Sequence, residues 1–298
     1  MEKEQENSYH KINLNWYPGH MNKTKKQIIE DLKMIDLVIE VLDARIPIAS
    51  RNPELAQYVK NKKQIVVLNK IDLADDSVTN NWIKSFKEQG IMAVPLEANS
   101  PKGASELLKA INMANVEIQE KYRKKGRVGY VTKAMIFGIP NVGKSTIINS
   151  LSGKKTAKVE NRPGVTKQKQ WIKIADNILL MDTPGMLWPK FESEEIGMHL
   201  AFTNSIGQNA LEIEEIAFYL LKYLAKNYKE QIEERYGIEI SNDSELLEDN
   251  LYIIEIRDAI AKKRGCIISG GNIDETKISK LILNEFQSGK LGKISLEK

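Results

Sequence analysis

The chain has a single cysteine, Cys266, in 298 residues, which excludes an internal disulfide and a cysteine-built zinc site. Histidine is almost as scarce: His10, His20 and His199 are the only three, and no metal-ligand spacing joins them. Long apolar runs are missing too. Stretches such as Ile65 to Leu68 and Ile178 to Met181 fall far short of the roughly 20 apolar residues a helix needs to cross a bilayer, so no membrane association is expected. Residues 1–15, MEKEQENSYHKINLN, mix acids, bases and amides without an apolar centre. That is unlike a secretory or transit signal, and the segment reads as a flexible extension on a cytoplasmic protein.

What is present is a composition of 42% hydrophobic and 28% charged residues, suited to one large or two ordinary globular domains. The net charge of +4 is unevenly spread. Lys121, Arg123, Lys124, Lys125 and Arg127 form a run without an acid, and Lys154, Lys155, Lys158, Arg162, Lys167, Lys169 and Lys173 follow with only Glu160 among them. Either run alone fits a solvated face as well as a partner surface. Two of them flanking a phosphate loop point towards nucleic acid.

Through the first two-thirds, short apolar segments alternate with helical patterns. LVIEVLDA (37–44), IVVLNK (65–70), MAVPLEA (92–98) and AMIFGI (134–139) read as buried parallel strands. Segments 23–33, 77–89 and 104–120 have helical spacing, and Pro53 suits the first turn of a helix over 53–60. In QWIKIADNILLMD (170–182) two apolar runs surround Asp176-Asn177, a hairpin signal. The prediction is an α/β fold: a doubly wound, mostly parallel six-stranded sheet over 16–189, with ligands at the carboxyl ends of its strands. After Pro184-Gly185 the strand signals stop. Ile213, Ile216, Leu220 and Leu224 fall on one helical stripe and Ile278, Leu281, Ile282 and Phe286 on another, so a smaller all-α domain is expected over 190–298. ISGGNIDE (268–275) reads as a loop before a helix capped by Asp274.

GIPNVGKS, Gly138 to Ser145, matches G-x-x-x-x-G-K-[ST] between a predicted strand and a predicted helix. Its glycines let the chain curl so that N–H groups over Val142, Gly143, Lys144, Ser145 and Thr146 face a β-phosphate. The helix N-terminus and the Lys144 ammonium add positive charge, and Ser145 offers magnesium a hydroxyl. DTPG, Asp182 to Gly185, ends a strand with an acid suited to Mg²⁺ and places Gly185 near the γ-phosphate. RPGVT, Arg162 to Thr166, offers Thr166 as a second hydroxyl. The expected centre is Mg²⁺ between Ser145, Thr166 and Asp182.

The base is addressed by NKID, Asn69 to Asp72. The Asp72 carboxylate accepts from the ring N–H and amine of guanine, whereas adenine presents an acceptor there and leaves the carboxylate unpaired. Asn69 braces the loop and approaches the base oxygen, and the Lys70 stem covers the ring. In LEANSPKG (96–103) the Ala98 backbone is the expected third contact beside Asn99, although Glu97 and Asn99 are not the usual Ser and Lys. The ligand class implied is GTP and GDP.

The base elements, 69–72 and about 97–100, precede the phosphate elements at 138–145, 166 and 182–185. With NWYPGHMNKTKK, LDARIPIASRNP, LNKIDL, GIPNVGKSTIIN, RPGVTK and DTPGMLWPK, the chain from Trp16 onward resembles the circularly permuted GTPases, and among them the bacterial ribosome biogenesis GTPase A family. The resemblance implies hydrolysis of GTP to GDP and phosphate, stimulated by the large ribosomal subunit and coupled to release during its late maturation. It implies a subunit precursor, ribosomal RNA and ribosomal proteins as partners, a monomeric chain, and C-terminal helices that contact RNA. Many GTPases follow Asp-x-x-Gly with a glutamine that orients water. Here Met186 takes that place, so unaided hydrolysis is expected to be slow. The resemblance points to His20 in YPGH as the residue that positions water, against a purely structural loop histidine. Asn141 matches the asparagine of potassium-stimulated GTPases, against simple loop bracing. Two other readings stay open: a GTP-dependent binding switch for another RNA or protein partner, and a P-loop ATPase, which Asp72 disfavours.

Overall fold

The computed structural model describes residues 21–153, 170–188, 191–206 and 213–298. The apolar runs form β1 (Leu37–Asp43), β2 (Lys63–Asn69), β3 (Met92–Leu96), β4 (Thr132–Phe137) and a hairpin of β5 (Gln170–Ala175) and β6 (Ile178–Asp182). These make one six-stranded sheet in the order β3-β2-β1-β4-β6-β5. Every pairing is parallel except β5 with β6. β1 is buried at all positions, as a central strand covered on both faces must be, which is why its sequence does not alternate. The tight turn falls on Asp176 and Asn177, as the hairpin signal predicts.

Helices connect the strands and cover both faces. On one side α1 (Met21–Leu32), α2 (Pro53–Val59) and α3 (Asp76–Glu88) place Ile28, Leu55 and Phe86 over Val38, Phe137 and Leu68. On the other, α4 (Pro101–Lys124) and α5 (Lys144–Ser152) set Leu107, Ile111 and Ile148 against Ile39, Val67 and Ile136. The strand register puts alternate residues on opposite faces, so the fold is doubly wound, as expected. Pro53 occupies the first turn of α2, behind an Asn52 side chain that accepts from Glu54 N and Leu55 N.

Beyond residue 190 the described chain is helical: α6 (Glu194–Phe202), α7 (Ile213–Asn227), α8 (Lys229–Tyr236), α9 (Ser244–Glu248), α10 (Asn250–Lys263) and α11 (Glu275–Gln287). The predicted stripes meet in the core, Leu220 and Leu224 of α7 beside Ile278, Ile282 and Phe286 of α11. Asp274 caps α11 by accepting from Lys277 N at 3.0 Å. The preceding glycine loop is more ordered than a plain connection, since Ile267 and Ile273 pair across it. One apolar cluster runs continuously from the sheet into these helices.

Residues 293–297 then return to the sheet. Ile294 N donates to Leu73 O and Leu296 N to Arg45 O, both at 2.9 Å. The Glu297 carboxylate accepts from Ile48 N and Ala49 N. The expected extension over 1–15 and the junction at 189–190 lie outside the described residues. Among those residues no helix is long and apolar enough to cross a membrane.

Candidate functional site

The parallel strands end at one edge, so the topology gathers loops that are distant in sequence. β2 ends on Asn69, β4 leads into Gly138, β6 ends on Asp182 and β3 leads to Ala98. Between Gly138 and Lys144 the backbone takes left-handed angles at Asn141 (φ 60°) and Gly143 (φ 98°), and α5 begins directly after. Only glycine fits two of these positions. A Cβ at Gly138 would collide with the Val41 carbonyl oxygen and one at Gly143 with Asn69 Nδ2.

Asn69 joins three loops. Its Nδ2 donates to Val142 O at 2.7 Å, and its Oδ1 accepts from Ala98 N at 3.1 Å. The bracing expected of Asn69 is therefore its geometry here. The Ala98 N–H, expected at the base, donates to Asn69 Oδ1 in this arrangement, while Asn99 beside it is exposed. Lys70 sits at φ 64°, a backbone position costly for a long side chain. Its ammonium lies 2.9 Å from Asp43 Oδ2. Asp72 is exposed on the turn closed by Leu73 N to Lys70 O at 2.9 Å.

Asp43 is the neighbour of Lys70 that sequence reasoning missed. Arg45 Nε and Nη2 donate to its two oxygens at 2.9 and 2.8 Å, and both side chains are almost wholly buried. Burial alone would push the carboxyl up, but Arg45 and Lys70 outweigh it and hold Asp43 well below the usual carboxylate range. The available signal was an acid closing an otherwise apolar strand, LVIEVLD, with an arginine two residues on.

The phosphate side is less complete. Lys144 is buried and donates to Ile139 O at 2.7 Å. Burial lowers its pKa to about 8, against the opposing charge of Asp182. Burial likewise raises the Asp182 carboxyl, with Lys144 opposing. Asp182 Oδ1 is buried and finds no hydrogen-bond partner among the described residues. An orphaned carboxylate oxygen at the end of β6, at the same edge as Ser145, fits a hydrated divalent cation. Ser145 and Thr146 lie half-buried in the first turn of α5. Gly185 backs onto the loop: a Cβ there would stand 3.0 Å from Pro140 Cα and 3.1 Å from Lys144 Nζ.

Met186 follows with its N–H on Gly138 O at 3.3 Å, and its side chain is buried in the apolar cluster with Leu55 and Phe137. It is turned into the core, so it is absent from the pocket as well as chemically unsuited to orient water. Asn141 Nδ2 donates to Asn204 O at 2.6 Å, which ties the phosphate loop to the chain just after α6. In this arrangement Asn141 braces. His20 and Thr166, with Arg162 and the basic run 154–169, lie outside the described residues.

A family model described as "50S ribosome-binding GTPase" matches residues 133–249, a span that starts in β4 and omits the base loop at 69–72. The chain is 45% identical over 284 residues to the ribosome biogenesis GTPase A of Bacillus cereus, covering 95% of this chain and 93% of that one. It is 32% identical to the protein of that name from Thermotoga maritima, covering 96% and 94%. Among solved structures, GNP-bound YlqF from T. maritima superposes with a TM-score of 0.63 at 29% identity, covering 93% of this chain and 98% of the other.

Proposed function

The chain belongs to the ribosome biogenesis GTPase A family, and from that premise we propose that it binds GTP, hydrolyses it to GDP and phosphate, and uses the cycle to assist late maturation of the large ribosomal subunit. Hydrolysis is stimulated by the subunit and coupled to release from it. The partners are a large-subunit precursor with its ribosomal RNA and proteins, and the chain acts as a cytoplasmic monomer. The observation that carries the reading is the Asn69 side chain, which fastens the base loop to both the phosphate loop and the 97–100 loop. A P-loop ATPase has no need of that bridge or of Asp72 beside it.

In this reading Asp72 selects guanine, Lys70 lies along the base, and the N–H groups from Val142 to Thr146 hold the phosphates with Lys144. Bound Mg²⁺ would supply charge neutralisation at the β- and γ-phosphates. Ser145, Thr166 and Asp182 would hold it, the last through the oxygen that meets no partner among the described residues. Gly185 senses the γ-phosphate. With Met186 facing the core, water is positioned by a group from elsewhere, and His20 is the proposed one. Asn141 would leave Asn204 to hold K⁺ once nucleotide is bound. The helical part over 190–298 is the proposed ribosome-facing domain.

The test is phosphate release in KCl and in NaCl, with and without large ribosomal subunits. Stimulation by subunits, larger in KCl, is expected. Equal rates in the two salts would remove the potassium role, and unchanged subunit-stimulated turnover in His20→Ala would remove the histidine. Ribosome profiles after depletion should show incomplete large subunits; normal profiles would favour a GTP-dependent switch on another partner.

A further inference from the structure

The opposite end of the sheet carries a second feature. A cleft of about 590 Å³ opens where β1, β2 and β4 begin, beside the last turns of α4. Strands of this length separate it by roughly 20 Å from the nucleotide loops. Lys33, Lys62, Lys63, Lys121 and Lys133 line it against two acids, Asp36 and Glu117. Neither acid is open to cancel them all. Glu117 is paired with Lys63 at 2.6 Å. Asp36 is enclosed by the hydroxyls of Tyr122 at 2.8 Å and Tyr130 at 3.0 Å and by Lys133 N at 3.0 Å. Lys33 is paired with Glu30. Lys121 and Lys133 meet no carboxylate among the described residues.

The wall behind these charges is ordered. Tyr122 and Tyr130 stack with ring centroids 3.6 Å apart and planes 15° from parallel, and Arg127 lies over the Tyr122 ring at 5.9 Å. Lys62 is anchored to Ile35 O at 2.9 Å, and burial lowers its pKa, with Asp36 opposing and Lys121 reinforcing. Past the cleft the basic run goes on through Arg123, Lys124, Lys125 and Arg127, all exposed. A protein-binding patch needs an apolar centre, yet of the large apolar side chains lining the cleft only Met34 is substantially exposed, at 48%. Unpaired lysine point charges around a polar trough suit phosphodiester oxygens instead.

We propose that this cleft and the basic end of α4 form a contact surface for the phosphodiester backbone of ribosomal RNA, separate from the nucleotide site. The proposal rests on the reading of the chain as a ribosome-assembly GTPase. Backbone contacts of this kind orient a protein on RNA without selecting sequence, so the surface fixes how the GTPase half sits on the subunit.

The full chain is titrated with a labelled RNA duplex of about 16 base pairs between roughly 50 and 200 mM salt. Lys121→Glu/Lys133→Glu is compared with Lys84→Glu/Lys87→Glu on the exposed side of α3, which carries the same net charge. GTP affinity checks that each variant is folded. Lys121→Gln/Lys124→Gln, at two exposed positions, stands in if the first does not fold. At least tenfold weaker RNA binding is expected for the cleft variant against the control, with a salt slope shallower by about two. Equal affinities and slopes would overturn the proposal, as would a wild-type chain that does not bind the duplex. A cleft variant that keeps RNA affinity but no longer sediments with large subunits would assign the surface to a ribosomal protein and overturn it too. Wild-type sedimentation is measured in parallel: its loss removes the assembly reading, whereas sedimentation with indistinguishable variants removes only the cleft.

Discussion

The base half and the phosphate half of the nucleotide site are finished to different degrees. On the base side the main anchors hold one another: Asn69 holds two loops, Lys70 and Arg45 share Asp43, and residues 294–297 fasten the loops from outside, with Arg45 Nη1 the one buried atom of this group that meets no partner among the described residues. On the phosphate side Lys144 falls back on the carbonyl of its own loop and one Asp182 oxygen has no hydrogen-bond partner among the described residues. The base half is therefore stabilised by the chain itself. The phosphate half keeps a buried carboxylate oxygen that a ligand could complete.

That contrast can be broken by mutation. The largest effect is expected from Asp43→Asn, which leaves Arg45 buried without a counter-charge and should destabilise the fold by about 3–5 kcal/mol. Denaturant melts should show that loss with nucleotide present or absent, and a loss seen only without nucleotide would contradict the wiring assigned to the base half.

Next comes Glu40, buried on β1 beside Arg51 Nε at 3.2 Å without the alignment of a hydrogen bond. Burial raises its pKa from 4.5 to about 7, with Arg51 partly opposing. The folded chain thus keeps a proton that the unfolded chain releases above pH 4.5, so stability falls as pH rises from about 4.5 to about 7 and is level above. The contribution is at most about 3 kcal/mol. Glu40→Gln should flatten that part of the pH profile, and an unchanged slope would reject the buried carboxyl as its source.

In the phosphate half, Lys144→Ala should scarcely alter the melting of the nucleotide-free chain. It should remove most of the ligand-induced gain, which for the native chain at a hundredfold excess over Kd is about 2.7 kcal/mol. If the nucleotide-free chain lost as much stability as Asp43→Asn, the two halves would not differ as described. The smallest effect is expected for Glu297→Gln, which weakens the acceptor for Ile48 N, Ala49 N and His199 Nδ1. A cost of about 1 kcal/mol should appear equally with and without nucleotide.

Much of this was legible in advance. Strand positions came from apolar runs and were off by one or two residues where runs extend into loops, as at β3, which ends at Leu96 although the pattern continues to Ala98. The phosphate loop and Asn69 were legible because each is a local motif with one dominant physical use. The short α9 was not, since five residues cannot display a helical stripe. The engagement of Ala98 N, the Asp43 cluster and the Asn141 to Asn204 link were also hidden. Each depends on which partner lies nearest in space, and spacing along the chain does not encode that.

The return of residues 293–297 has a consequence in time. Asp75, at the edge of the base loop, donates to Ser295, 220 residues downstream, and Leu73 and Arg45 accept from the same segment. A chain made from its N-terminus translates the guanine loop early and must hold it unfastened until that segment has been synthesised, the kind of long-range closure that comes late in folding. The outer clasp of the base loop is thus acquired only once residues 293–297 have been made, so a chain stalled before them would already carry the GKS loop and still lack that clasp.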